Sequence, residues 1–186
     1  MPDDDILEVL QTGDWDESLQ QVVEDMKGRP LNVHGLIANN PDLLKAWWSF
    51  RQHIVSAGAL DARSAELVIL RTAVHAGAEY EWLSHVERGH AAGLSFEEIE
   101  RVMAGPEDAG WSDADALLLR AVDELAANKG LLPDTRDALA QAIGASATLD
   151  LIAIHGTYIM LACMLNTWDV DLDEHVAARL KTSGYK

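Results

Sequence analysis

The 186-residue chain has a single cysteine, Cys163, so it can build neither an intrachain disulfide nor a cysteine-rich zinc site. That usage fits a reducing compartment, and a cytoplasmic location is the expectation. Cations are scarce as well: 14 Lys and Arg stand against 31 Asp and Glu, a formal net charge of -17. Such a surface repels phosphate backbones and anionic headgroups, which argues against nucleic-acid and membrane partners. It would also repel a polyanionic substrate unless a local cluster such as Arg63 and Arg71 reverses the field. The opening Met1-Pro2-Asp3-Asp4-Asp5 has neither the basic nor the apolar region of a secretory signal, and its charges read as a solvated run. The longest apolar stretch, Ala147 to Leu165, holds Asp150, His155 and Gly156, which suits a core helix better than a membrane span.

Also missing are an alternating strand pattern of useful length, an internal repeat and a low-complexity tract. What is present is apolar spacing of three and four residues, with glycine and proline falling between the periodic segments. Start and stop signals predict helices over Trp15–Lys27, Val33–Asn39, Asp42–Ala57, Asp61–His75, Glu79–Ala92, Ser95–Ala104, from Ser112 onward, Pro133–Ile143, Ala147–Asn166 and Asp171–Lys181. The fold class is therefore all-α. Residues 1–40 read as an N-terminal helical arm, 41–170 as the core of one domain, and 171–186 as a closing helix and tail. Cys163, in an apolar run without a positive neighbour, reads as a small core residue.

Chemistry concentrates in two helices joined at Gly77. The junction is short, so the helices should be antiparallel neighbours. On the second, Glu81 and His85 are four residues apart and share a face, where the carboxylate can orient the imidazole; Tyr80 stands beside them. Glu66 lies in the otherwise apolar helix opposite. Two carboxylates beside an imidazole push one pKa up, which gives an acid and a base in one pocket. Glu81 and His85 with Glu66 are also half of a carboxylate–imidazole metal set, but a clear second histidine is lacking and no metal or other cofactor is expected. His155 is the other imidazole that could approach.

Arg63, Glu66 to Leu70 and Ala73, then Gly77, Tyr80 to Trp82 and His85, then Gly93 to Ser95, Glu98 and Ile99, resemble the pattern of the carboxymuconolactone decarboxylase family. Weaker similarity runs upstream through Asn40-Pro41 and Trp48 and downstream through His155 to Trp168. The resemblance implies an AhpD-like helical bundle assembled as a homo-oligomer, a trimer or hexamer. The AhpD branch is a thiol peroxidase with a Cys-x-x-Cys pair, and those cysteine positions fall here on Ala78 and Glu81. Peroxide reduction needs a thiolate, so that activity is not expected. The non-redox branch implies a lyase or isomerase working by proton transfer on a lactone or small organic acid. The catalytic candidates are Glu66, Tyr80, Glu81 and His85: His85 as base oriented by Glu81, Glu66 as acid or relay, Tyr80 polarising a substrate oxygen. Trp82, Trp48 and His155 are the candidates for the substrate-binding wall. A non-catalytic member that binds a small ligand is the alternative.

Overall fold

A computed structural model of the protein describes residues 7–54 and 58–185. Among the described residues there are ten α-helices and no strand: α1 Gln20–Asp25, α2 Asn32–Ile37, α3 Pro41–Gln52, α4 Ala62–Ala76, α5 Glu79–Ala91, α6 Phe96–Arg101, α7 Asp113–Asn128, α8 Pro133–Ala142, α9 Gly144–Thr167 and α10 Glu174–Ser183. Their starts follow the local chemistry that predicts them. The side chains of Asn40, Asp61, Ser95 and Ser112 each accept a backbone N–H from the first turn of the helix they precede, and Ser95 with Glu98 completes a reciprocal capping box. The expected end of α3 at Ala57, like the first five residues, lies outside the described residues. The predicted helix over Trp15–Lys27 is shorter: a 3-10 turn at Glu17–Leu19 feeds α1.

Helix α4 is the centre of the packing and touches α5, α7 and α9. Its apolar residues at helical spacing, Leu67, Leu70 and Val68, are fully buried, and each side chain of that kind contributes about 1.5–3 kcal/mol by leaving water. Gly77 ends the helix at φ +58, a left-handed conformation that a side chain would disfavour, and the Ala78 N–H reaches back to the Ala73 carbonyl at 3.0 Å. The chain turns there into α5. Gly89 lets α5 close on α4, since a Cβ would stand 3.2 Å from Leu94 Cδ1 and 3.3 Å from Leu70 Cδ1.

Helix α9 is long and apolar enough to cross a membrane by length and composition, but more than half of its apolar window is buried inside the protein, where it packs on α4, α5 and α8. Its other side is exposed at Leu149, Ile152 and Cys163. The cysteine is therefore on the surface, which corrects the core reading: apolar neighbours in sequence do not decide which side of a helix a residue occupies. Helices α2 and α3 close one end of the bundle against the N-terminal arm. Leu10 N–H reaches the Gly35 carbonyl at 3.2 Å, and Trp48 Nε1–H donates to Asp25 at 2.9 Å.

Candidate functional site

The α4–α5 hairpin brings Glu66 and His85 together. Glu66 Oε2 stands 2.7 Å from His85 Nδ1, and the ring is almost wholly buried. On the far side of the imidazole, Arg88 Nη1 lies 3.3 Å and Glu81 Oε2 3.6 Å from Nε2. Arginine can only donate, so Nε2 is the acceptor and the ring proton sits on Nδ1, shared with Glu66. Glu66 is thus the residue that orients the ring, and Glu81 faces the nitrogen that carries the lone pair. The close carboxylate contact to the ring is thus made by Glu66, where the sequence reading expected Glu81 to orient it. Tyr158 of α9 meets the His85 ring edge-on at a centroid distance of 5.0 Å, and burial pushes its hydroxyl pKa well up.

Glu81 is 3% exposed. Burial raises its pKa, against the pull of His85, Arg88 and Arg51, so the carboxyl is shifted toward its neutral form. His34 is a further buried titratable group here. Its Nδ1 accepts the Leu31 N–H at 2.9 Å, and burial, reinforced by Arg51 and Arg88, lowers its pKa to about 3. It is a neutral imidazole with its proton on Nε2.

Two cavities meet at a common wall made by Arg51, Ile54, His85, Arg88 and Tyr158. The outer one, about 460 Å³, is bounded by Leu60, Ala65, Glu66 and Ile69, with a volume in the range of small-molecule sites. The inner one is about 30 Å³ and is bounded by His34, Trp47, Glu81 and Ser84 among others. Its size suits one or two water-sized groups.

Four sequence candidates stand elsewhere or in a different posture. Tyr80 borders the inner cavity, but its hydroxyl donates to Asp173 and accepts the Val33 N–H at 3.4 Å, so it ties the segment before α10 to α2. That geometry does not favour a hydroxyl offered to a substrate. Trp82 turns away from both cavities, its Nε1–H donating to Tyr185 at 3.1 Å. Trp48 faces the N-terminal arm, and its neighbour Trp47 borders the inner cavity instead. His155 lies beyond α4, with Nδ1 3.0 Å from the Thr72 hydroxyl, and does not approach His85. Among the described residues no cluster of three metal-ligating side chains converges.

Arg63 and Arg71, the cations expected to draw an anion in, are already paired. Arg63 forks onto Asp115 and also meets Glu98, while Arg71 forks onto Asp123 and caps the Val102 carbonyl at 2.8 Å. The cations facing the cavities are Arg51 and Arg88. Arg88 was legible in principle, being three residues from His85 on one helix face. Nothing local marks Arg51, His34 or Tyr158, which reach the site from three other helices.

An all-α AhpD-like fold with a carboxylate–imidazole pair on its central hairpin is the class of protein that emerges. Residues 41–124, the segment carrying Glu66 and His85, match the model of the Carboxymuconolactone decarboxylase family. Among solved structures, the chain is similar to a cysteine-to-alanine variant of the debrominase Bmp8 in complex with 2,3,4-tribromopyrrole, at 17% identity over 95% of this chain and 96% of that one, TM-score 0.78. It is also similar to an alkylhydroperoxidase AhpD core, an uncharacterized peroxidase-related protein from Ralstonia eutropha, at 17% identity over 92% and 93% of the two chains, TM-score 0.78. A putative antioxidant defence protein AhpD from Agrobacterium tumefaciens aligns at 19% identity over 74% of this chain and 94% of its own, TM-score 0.67. At these identities the likeness is one of fold. No curated protein sequence matches the chain.

Proposed function

We propose that the protein is an acid–base enzyme of small organic molecules, a lyase or isomerase acting on a lactone or small organic acid. The observation that carries this reading is the Glu66–His85 pair at 2.7 Å, buried where the two cavities meet. Glu66 holds the Nδ1 proton and fixes the tautomer, which leaves Nε2 to take a proton from substrate. Glu81, held toward its neutral form by burial and standing 3.6 Å from Nε2, is suited to return a proton. An acid and a base on one helix turn suit removal of a proton at one atom and delivery at another. Arg88 and Tyr158 bracket the ring, and Leu60, Ala65 and Ile69 give the outer cavity an apolar side.

Thiol peroxidation does not fit this site. Ala78 and Glu81 occupy the positions of the redox pair, and Cys163 is exposed on α9.

The test is turnover of a panel of lactones and unsaturated acids by wild type, Glu66→Gln, His85→Ala and Glu81→Gln. Each variant should lose about 10²–10⁴-fold, the usual worth of a positioned acid or base. Glu81→Gln should remove the alkaline limb of the pH–rate profile, because the acid it replaces is active when protonated. Unchanged rates in His85→Ala would remove the pair from the mechanism.

A further inference from the structure

The inner cavity is lined in part by apolar side chains such as Leu31, Val33, Ile54 and Leu161, and among them it gathers a set of donors. Trp47 and Ser84 are 6% and 5% exposed, and the Trp47 indole Nε1–H and the Ser84 hydroxyl have no hydrogen-bond partner. Leaving such groups buried and unpaired costs about 1–3 kcal/mol each, so two on one small cavity call for an occupant. Arg51 and Arg88 face the same space, and among the described residues neither has a carboxylate within ion-pair distance. Arg51 rests its guanidinium over Trp48 at 4.9 Å, which positions the cation and leaves its in-plane N–H groups unused. His34 adds an Nε2–H. The one acid present, Glu81, is shifted toward its protonated form and is then a donor too.

We propose that this inner cavity is a binding site for a small monovalent anion of the size of chloride or formate. The volume, about 30 Å³, suits one such ion. Two guanidinium charges offset the loss of its hydration, and charge-assisted bonds from Trp47 and Ser84 complete its shell. The acidic surface does not oppose this, since exposed charges farther than about 8 Å away are screened at physiological ionic strength. The cavity shares His85, Glu81 and Arg88 with the proposed acid–base site, so the inference rests on that reading of the site, while occupancy can be measured without turnover.

Formate and chloride titrated calorimetrically into the full-length protein, at ionic strength held constant with gluconate, should bind saturably at one ion per chain and raise the melting temperature. Trp47→Phe and Ser84→Ala should each weaken binding about tenfold, and Arg51→Gln by about a hundredfold or more. Without the ion, Ser84→Ala should melt no lower than wild type, because the hydroxyl it removes has no partner; a purely structural serine would give the opposite result. Benzoate separates the two sources of the anion. Failure to compete with formate assigns the site to a free ion, and one-for-one competition assigns it to the carboxylate end of a larger acid reaching past Arg51 and Arg88. No saturable uptake of either small anion, or equal affinity in wild type, Trp47→Phe and Ser84→Ala, would overturn the proposal.

Discussion

The two sides of the site are built by different means. Glu66, Glu81, His85 and Arg88 come from one hairpin, α4–α5, whose turn at Gly77 and helical spacing place them together with little help from the rest of the chain. His34, Trp47, Arg51 and Tyr158 come from α2, α3 and α9, and they meet only because the N-terminal arm and the long apolar helix pack around the hairpin. On the proposed reading the first side holds the acid–base chemistry, and the second sets size, charge and access. A hairpin can be read from spacing, whereas a wall assembled from three distant helices is a product of tertiary packing.

Acid should expose the second wall first. His34 is held neutral by burial, with a pKa of about 3 against an ordinary value of 6.5. The unfolded chain therefore takes up a proton near pH 6.5 that the folded protein refuses until pH approaches 3, so stability falls as pH drops through that window. The loss amounts to several kcal/mol at the bottom of the range, on the order of 1.4 kcal/mol per unit of pKa difference. In His34→Gln, whose side chain can still accept the Leu31 N–H, the slope of stability against pH between those limits should flatten. Urea unfolding at a series of pH values measures it, and an unaltered slope would mean that the α2–α3 wall opens to water before the bundle unfolds.

The same contrast explains what the sequence made legible. Nine of the expected helices have their counterparts within a few residues, because apolar spacing is local and several starts carry a side-chain cap, as at Asn40, Asp61, Ser95 and Ser112, while Gly77 stops α4. Glu81 and His85 share a face for the same local reason. Neighbouring positions on a helix differ by about 100° in direction, and only packing decides which of them faces a pocket. Trp48 and Trp47 form such a pair, and α3 turns the first to Asp25 and the second to the cavity. Tyr80 and Glu81 form another, one bonded to Asp173 and the other beside His85. The placement of Glu66 and Glu81 about the ring has a related origin: which ring nitrogen meets which carboxylate depends on how α4 lies across α5, which spacing along either helix does not record.

Tyr80 sharpens the comparison at a smaller scale, since it sits on the hairpin but serves the outer elements. Its hydroxyl and the Asn32 N–H, the latter at 3.0 Å, are the donors to buried Asp173. Tyr80→Phe should lower stability by about 1–3 kcal/mol, the cost of leaving that carboxylate one donor short, while turnover stays within about threefold of wild type. Loss of turnover by two orders of magnitude at an unchanged melting temperature would return Tyr80 to the catalytic set.

The smallest effect is expected at Cys163, which lies on the side of α9 away from α4. The thiol is exposed, and the residue's backbone carbonyl accepts the Thr167 hydroxyl. A carbonyl bond of that kind survives replacement of the side chain. Cys163→Ala should therefore leave both turnover and melting temperature where they are, with changes within about 0.5 kcal/mol as for an ordinary surface substitution. A thiol reagent provides the companion measurement, because an exposed cysteine should react in the native protein at a rate near that of the unfolded chain. Rapid labelling that leaves turnover intact would place α9's outer side outside the mechanism. Labelling that abolishes turnover in wild type, together with an inactive Cys163→Ala that still folds, would make a surface thiol part of the chemistry and displace the Glu66–His85 pair as its centre.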